Sequence, residues 1–232
     1  MNEFSPNVPA HTVGAVDLLV VGASGHACVV AEAIGPQYRL MGFVDEKSDG
    51  SLVAAYGPLF GKLDMVGPWL AAHENGAVHV AIGDNDSRRR VVAGLLEAHG
   101  RIRFATVIHA RAWVSPQSVI GAGSMICAGA IVGAGAVVGE HCILNTLSSL
   151  DHHGCMGEFA SLAPAAATGG RVSIGAGSAI GMGAMIHQNI AIGKDTVIGS
   201  QSLVSHDLPD RVVAFGIPCR VRRSRGLCER YL

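Results

Sequence analysis

The sequence predicts a chain in two parts, a small parallel α/β domain followed by a parallel β-helix. Three observations carry this. Strand-like and helix-like segments alternate over the first hundred residues. From Ile108 to Pro209 the chain divides into seventeen consecutive six-residue blocks without an insertion. Nearly every block opens on an aliphatic residue, the period of a solenoid whose short strands each bury one side chain before a turn.

The start, MNEFSPNVPAHTVG, is polar and irregular, with no basic stretch ahead of the apolar residues that follow, so residues 1–16 are expected to form a loose tail and not a signal peptide. DLLVV then reads as a buried strand, with a tight Gly turn and a helix behind it. LMGFVDE is a second strand ending in acids. AVHVAIG is a third, followed by a helix from about Ser87 to His99, and RIRFATVIH reads as a last strand leading into the first coil. Residues 17–106 are therefore expected to form a Rossmann-like domain. Its turn, Gly22-Ala23-Ser24-Gly25-His26, lies beyond the carboxyl end of the first strand and at a helix N-terminus, where backbone N–H groups meet phosphate. Asp45 follows twenty residues after Gly25, the place where an acid often meets a ribose hydroxyl. Both point to a nucleotide. The third glycine of the dinucleotide fingerprint is missing, so a hydride-transfer cofactor is weakly supported. The plain alternative is that these glycines only close a tight turn and that His26 merely starts a helix.

The repeat opens on Ile108, Val114, Ile120, Ile126, Val132, Val138, Leu144 and Leu150, and continues to Ile198 and Val204; Thr168 alone breaks the apolar rule. A period of six does not fit a helical stripe at 3.6, and each Gly inside a helix costs roughly 1 kcal/mol relative to Ala. Three blocks make one triangular coil of eighteen residues, stacked at about 4.8 Å per rung. Residues 107–219 are assigned to this solenoid. The basic end, residues 220–232 with Arg220, Arg222, Arg223, Arg225 and Arg230, is expected to be a solvated tail.

Composition narrows the functions. With 49% hydrophobic residues, 15% charged and a net charge of −1, the chain can bury a large core and has no electrostatic case for nucleic acid. No apolar run reaches the roughly 18 residues of a membrane span. The six cysteines fall at no metal or disulfide spacing, so reduced thiols and a cytoplasmic protein are expected.

In an eighteen-residue coil, residue n lies beneath residue n+18. His152 then stands between Ala134 and Gly170, in a trough that leaves room for a ligand and brings the Gly170 N–H near whatever the imidazole touches. Asp151 falls between Gly133 and Gly169, and His153 between Gly135 and Arg171. Taken as strand residues, His152 and His153 point to opposite faces and do not chelate one ion, and His206 is three coils away, so no metal site is expected. On residue type alone, His152 also fits a solvated surface histidine.

The motifs VVGASGHA, GFVDE, AIGDN, ILNTLSSLDHHGCMGEFASLAP, GGRVSIGAGSAIGMGA and VVAFGIPCRV occur in the order found in bacterial sugar acyltransferases that join a nucleotide-sugar-binding α/β domain to a β-helix. The chain resembles that family over nearly its whole length. The resemblance implies a left-handed coil, against the usual right-handed preference. It makes His152 the general base, and Ser24, Gly25, His26, Asp45, Glu46, Lys47, Gly83 and Asn145 binders of the nucleotide sugar. Gly170 becomes a backbone donor to the acetyl carbonyl. Acetyl-CoA would lie near Ser161, Met182 and Ser200, in a groove between neighbouring β-helices of a homotrimer with its sites at the subunit interfaces.

Two departures stand out. Some relatives follow the catalytic His with Glu, whereas this chain has His153, so basicity and orientation fall to Asp151, to His153 or to Glu140 on a neighbouring face. Relatives often carry His in place of Ser161. Cys155 has no visible activating neighbour, so direct transfer is expected in place of a covalent acyl-enzyme. Implied first is acetyl-CoA-dependent N-acetylation of a nucleotide-linked 4-amino-4,6-dideoxy sugar. The alternatives are O-acetylation of sialic acid or a related sugar, and a non-catalytic trimeric scaffold that binds nucleotide.

Overall fold

The computed structural model describes residues 14–226 and Glu229. The tail expected over residues 1–16 lies outside them up to residue 13, as do Cys228 and Arg230. The N-terminal domain runs β1 (Val16–Val21), α1 (Gly25–Ala33), β2 (Tyr38–Val44), α2 (Val66–Ala72), β3 (Ala77–Val80) and α3 (Asn85–His99). The three strands are parallel in the order β2-β1-β3. Leu18, Leu19, Val20 and Val21 are all buried, as expected of a central parallel strand covered on both faces. Gly22 takes φ +110, and a Cβ there would stand 2.8 Å from the Ala81 carbonyl oxygen, so only Gly lets β1 turn beside β3. Asp84 caps α3 by accepting the Ser87 N–H at 2.8 Å. Helix α2 was not foreseen, because GPWLAA is short and carries Pro68, which a helix tolerates in its first turn. The expected strand at RIRFATVIH reduces to a single bridge, Phe104 to Val78, before the first coil strand, Val107–Ile108.

The second part is a left-handed β-helix. Two-residue strands recur every six residues and stack into three parallel sheets, the faces of a triangular prism. The register is eighteen residues throughout: on the first face Val107, Met125, Ile143, Ser161, Ala179 and Val197 lie in one column. Block openers such as Ile126, Leu144, Leu162 and Ile180 fill the interior and are sealed from solvent. At every corner from Gly123 to Gln201 the fourth residue of the block is left-handed, with φ between +50 and +73, whether it is Gly or a residue such as Leu147, His153 or Phe159. A helix long and apolar enough to cross a membrane is absent among the described residues.

Within the basic end, residues 220–224 form a strand whose arginine side chains Arg220, Arg222 and Arg223 are exposed. Strand Val212–Phe215 continues the first face and pairs antiparallel with Arg220–Ser224. Arg225 is buried, donating to the carbonyls of Asp195 and Glu229, and Arg223 pairs with Glu229. This hairpin continues the open edge of the first sheet, which would otherwise expose unpaired main-chain groups. Its turn, around Gly216 to Cys219, carries no hexapeptide period from which it could be foreseen.

The α/β domain packs on the first face, where Val107, Met125 and Ile143 share a core with Leu18 and Val20. The corner between the third and first faces is bolted to α3. Buried Arg88 donates through Nε to the His141 carbonyl (2.8 Å), through Nη1 to the carbonyls of Ile82 (2.7 Å) and Gly83 (3.0 Å), and through Nη2 to Asn85 Oδ1 (2.7 Å) and the Phe159 carbonyl (3.1 Å). Asn85 Nδ2 donates to the carbonyls of Gly177 and Ser178, and Arg89 pairs with Asp195 at 3.0 Å. His141 stacks on Phe159 with centroids 5.0 Å apart.

Burial, reinforced by the Arg88 charge, pushes His26, His79 and His141 down to about 4. In the unfolded chain they return toward 6.5. The unfolded state therefore takes up protons that the folded state refuses as pH falls from about 6.5 to 4, and the stability these neutral rings contribute above that window is lost within it. The urea midpoint is expected to fall steadily from pH 7 to pH 4.5. A midpoint unchanged over that range would show that the junction accepts charged imidazoles. Gly175→Ala places a Cβ 2.5 Å from the Lys194 backbone nitrogen, and is expected to lower stability by about 2 kcal/mol in urea melts.

Candidate active site

His152 sits at the corner between the second and third faces, in the turn that joins Ser149–Leu150 to Cys155–Met156. Its ring lies over Gly170, where a Cβ would collide with Nε2 and Cε1, so the contact expected from the coil register is present and depends on a glycine at 170. The Gly170 N–H has no acceptor among the described residues. His152 and His153 do not diverge as strand residues would. Both are turn residues, His153 at φ +56, and their Nδ1 atoms stand 3.1 Å apart with the rings edge to face at 82°. Strand alternation was the wrong geometry for this pair. Among the described residues there is no group of three or more His, Cys, Asp or Glu able to hold a metal ion.

Of the three candidate partners of His152, only His153 bonds to the ring. Asp151 Oδ1 instead accepts the His152 backbone N–H at 2.6 Å. Glu140 stands at a different corner, in the column of Glu158 and next to the α3 junction. Arg171 lies one coil from His153, its Nε held by Asn189 Oδ1 at 2.7 Å.

The candidate nucleotide residues gather at the carboxyl ends of β1, β2 and β3. Ser24 is the exposed N-cap residue of α1, and Gly25 begins that helix. His26 turns its Nε2 inward, buried without a partner. Asp45 is already engaged: Oδ2 accepts the Ala23 N–H (2.8 Å), and Oδ1 accepts those of Lys47 (2.7 Å) and Ser48 (2.9 Å). Burial opposes ionisation there, but the three N–H groups outweigh it and hold the carboxyl below its usual range. Its visible work is to tie the β1 turn to the loop after β2. Glu46 accepts the Leu63 N–H, Lys47 is exposed, and the space where a Gly83 Cβ would point is open.

The coenzyme candidates do not meet within one chain. Met182 and Ser200 share the column at the corner between the first and second faces, and Asn145 approaches that same corner. Ser161 is on the first face, while Gly170 is one corner away, beside His152. Between them, on the second face, runs a groove of about 580 Å³ whose walls include Thr168, Gly169, Met185, Gln188, Asn189 and Leu203. None of these six stands out from the sequence as a site residue, Thr168 only as the opener that breaks the apolar rule, because a groove between coils has no local signature. The α/β domain covers the first face, opposite the His152 corner.

Residues 17–95 match the PglD N-terminal domain family. The acetyltransferase domain of PglB from Neisseria gonorrhoeae, solved with acetyl coenzyme A, is 32% identical, with 90% of this chain and 100% of that one covered and a TM-score of 0.82. A variant of perosamine N-acetyltransferase from Caulobacter crescentus, solved with CoA and GDP-perosamine, is 30% identical over 93% of this chain and 100% of that one, also at 0.82. WeeI from Acinetobacter baumannii, at 24% identity, 90% and 100% coverage and a TM-score of 0.75, shares the fold. No curated protein sequence matches the chain.

Gly170→Ala is expected to leave the solenoid folded, because the atoms the new methyl meets belong to a side chain free to swing away. Its signature is a moved His152 ring resonance with little change in Tm. Global unfolding would show instead that the imidazole is locked in place.

Proposed function

The chain belongs to the family of nucleotide-amino-sugar N-acetyltransferases that join a PglD-type N-terminal domain to a left-handed β-helix, and from that premise we propose the reaction it performs. It moves the acetyl group of acetyl-CoA to the amine of a nucleotide-linked 4-amino-4,6-dideoxy sugar, with His152 as the base. The observation that carries this reading is the His152 ring, set over Gly170 with His153 bonded to its far nitrogen.

In a hydrogen bond between two Nδ1 atoms, one must donate. With His152 donating and His153 accepting, the lone pair of His152 falls on Nε2, the nitrogen over Gly170. There it takes a proton from the sugar amine as the nitrogen attacks the thioester carbonyl, work for which histidine is suited at neutral pH. The C–N bond forms, the C–S bond breaks, and the imidazolium returns the proton to the departing thiolate. The Gly170 N–H holds the oxyanion between those steps. His153 does by hydrogen bonding part of what Glu does in some relatives. Cys155 takes no covalent role.

The nucleotide cleft occupies Ser24, Gly25, Asp45 to Lys47 and Gly83, with Asp45 shaping the loop through backbone N–H groups. That cleft belongs to a domain on the first face, while His152 is at the opposite corner, so sugar and base meet when the domain of one protomer faces the corner of its neighbour. Exposed apolar side chains on the uncovered faces, among them Trp113, Ile131 and Met185 on the second and Val119 and Val137 on the third, suit a homotrimer. Asn145, Ser161, Met182 and Ser200, apart within one chain, then border one groove between two chains, where the pantetheine arm of acetyl-CoA lies.

The test follows CoA thiol release with acetyl-CoA and UDP-, dTDP- or GDP-linked 4-amino-4,6-dideoxy sugars, with free sialic acid as the competing acceptor. Turnover on one nucleotide amino sugar is expected, reduced by 10²- to 10⁴-fold in His152→Ala. Turnover on sialic acid alone would move the reading to O-acetylation, and full activity without His152 would remove the base. His153→Ala is expected to lower kcat about 10-fold and His153→Glu to restore most of it, since either acceptor holds the same tautomer. Light scattering should give three chains per particle; a monomer with full activity would break the shared-site geometry.

A further inference from the structure

Thr168 is the one block opener in the solenoid that is not aliphatic, and it lies one coil above Leu150, two residues before His152. On the other rungs of the second face, the residue after each strand donates its N–H to the main-chain carbonyl of the opener above. Ser115 bonds to Val132, Gly133 to Leu150, Gly169 to Ile186 and His187 to Val204 in this way, at 2.8 to 2.9 Å. Asp151 does not. Its N–H goes to the side-chain Oγ1 of Thr168 at 3.0 Å. The strand pairing loses a step at the same place: Ser149 pairs with Ala167, but Leu150 and Thr168, although in register, do not pair, whereas the strands below and above keep both residues paired. Thr168 also borders the groove on the second face.

The Thr hydroxyl thus substitutes for a main-chain carbonyl at the single rung that carries the base. An N–H aimed at Oγ1 is aimed away from the carbonyl line, so the Asp151 peptide is set differently from its counterparts at Gly133 and Gly169. Asp151 passes this on, because its Oδ1 holds the His152 N–H at 2.6 Å. We propose that Thr168 is a positioning residue for the acetyl transfer, which breaks the ladder at one rung to set the Asp151–His152 backbone and thereby aim the imidazole over Gly170. The inference rests on His152 being the base. It also has a stability cost, since a buried hydroxyl stands in an aliphatic column and the Thr168 carbonyl loses its ladder donor.

Thr168→Val separates a positioning role from a structural one, because valine has nearly the same shape and matches every other opener. The variant is expected to fold with an equal or higher Tm and to keep the KM for both substrates within about twofold. Its kcat should fall about 10-fold, in line with the sensitivity of such reactions to small misplacements. The amide resonances of Asp151 and His152 should move, and Thr168→Ser, which keeps Oγ1, should recover most of the rate. Wild-type kcat in Thr168→Val overturns the proposal, as does a loss of rate that tracks a loss of Tm in both variants. His152→Ala, run alongside, tests the underlying reading: if it retains full activity the base is misassigned, whereas an inactive His152→Ala beside a fully active Thr168→Val sinks only the role of Thr168.

Discussion

The main-chain ladder of the solenoid, with its fixed step of eighteen residues, is the constraint on which the rest of the molecule depends. Parallel strands sit about 4.8 Å apart, so side chains at the same place in successive coils are in contact whatever their identity. Large corner residues either stack on one another, as His141 does on Phe159, or lie against a small residue in the adjoining coil. His141 lies against Gly123, Leu147 against Gly129, Asp195 against Gly177 and Gln201 against Gly183, each at a distance a Cβ would not survive. His152 and Gly170 follow the second pattern, and there the device packs an imidazole over a glycine.

The ladder also fixes where the second domain can go. The first face carries Val107, Met125 and Ile143 outward, and burying them is what attaches the α/β domain. Arg88 then links the Ile82 and Gly83 carbonyls, after β3, to the carbonyls of His141 and Phe159 on the solenoid. One buried cation holds both halves, surrounded by rings that stay neutral because a further charge there would have no water to solvate it. The candidate nucleotide residues and His152 end up on opposite sides of a prism.

Several features were plain in the residue order, and others misled for identifiable reasons. The openers from Ile108 to Val204 announced the interior column, and the numbering alone put His152 beside Gly170. The same numbering gave the wrong relation between His152 and His153, because a two-residue strand followed by a left-handed turn does not alternate as a long strand does. Asp45 was recognised as an acid at the right spacing, but its engagement by three backbone N–H groups depends on a loop whose path no local pattern encodes. His26 belongs to a motif expected to face ligand, yet its ring turns its Nε2 inward, near the Arg88 charge. The basic end looked like a solvated tail because charge was counted without the hairpin that buries Arg225 against the Asp195 carbonyl.

The sequence by itself determined the period, the interior residues, the two-domain order and the candidate base, because each follows from local spacing repeated many times or from motifs contiguous in the chain. Only the tertiary structure decided which partner each polar group takes: His153 and not Asp151 on the imidazole, the Thr168 hydroxyl and not its carbonyl on the Asp151 N–H, and the first face as the seat of the α/β domain. The reason is physical. Periodicity constrains where side chains point, whereas hydrogen-bond partners are chosen among atoms distant in the chain by differences of a few tenths of an ångström that no spacing rule resolves.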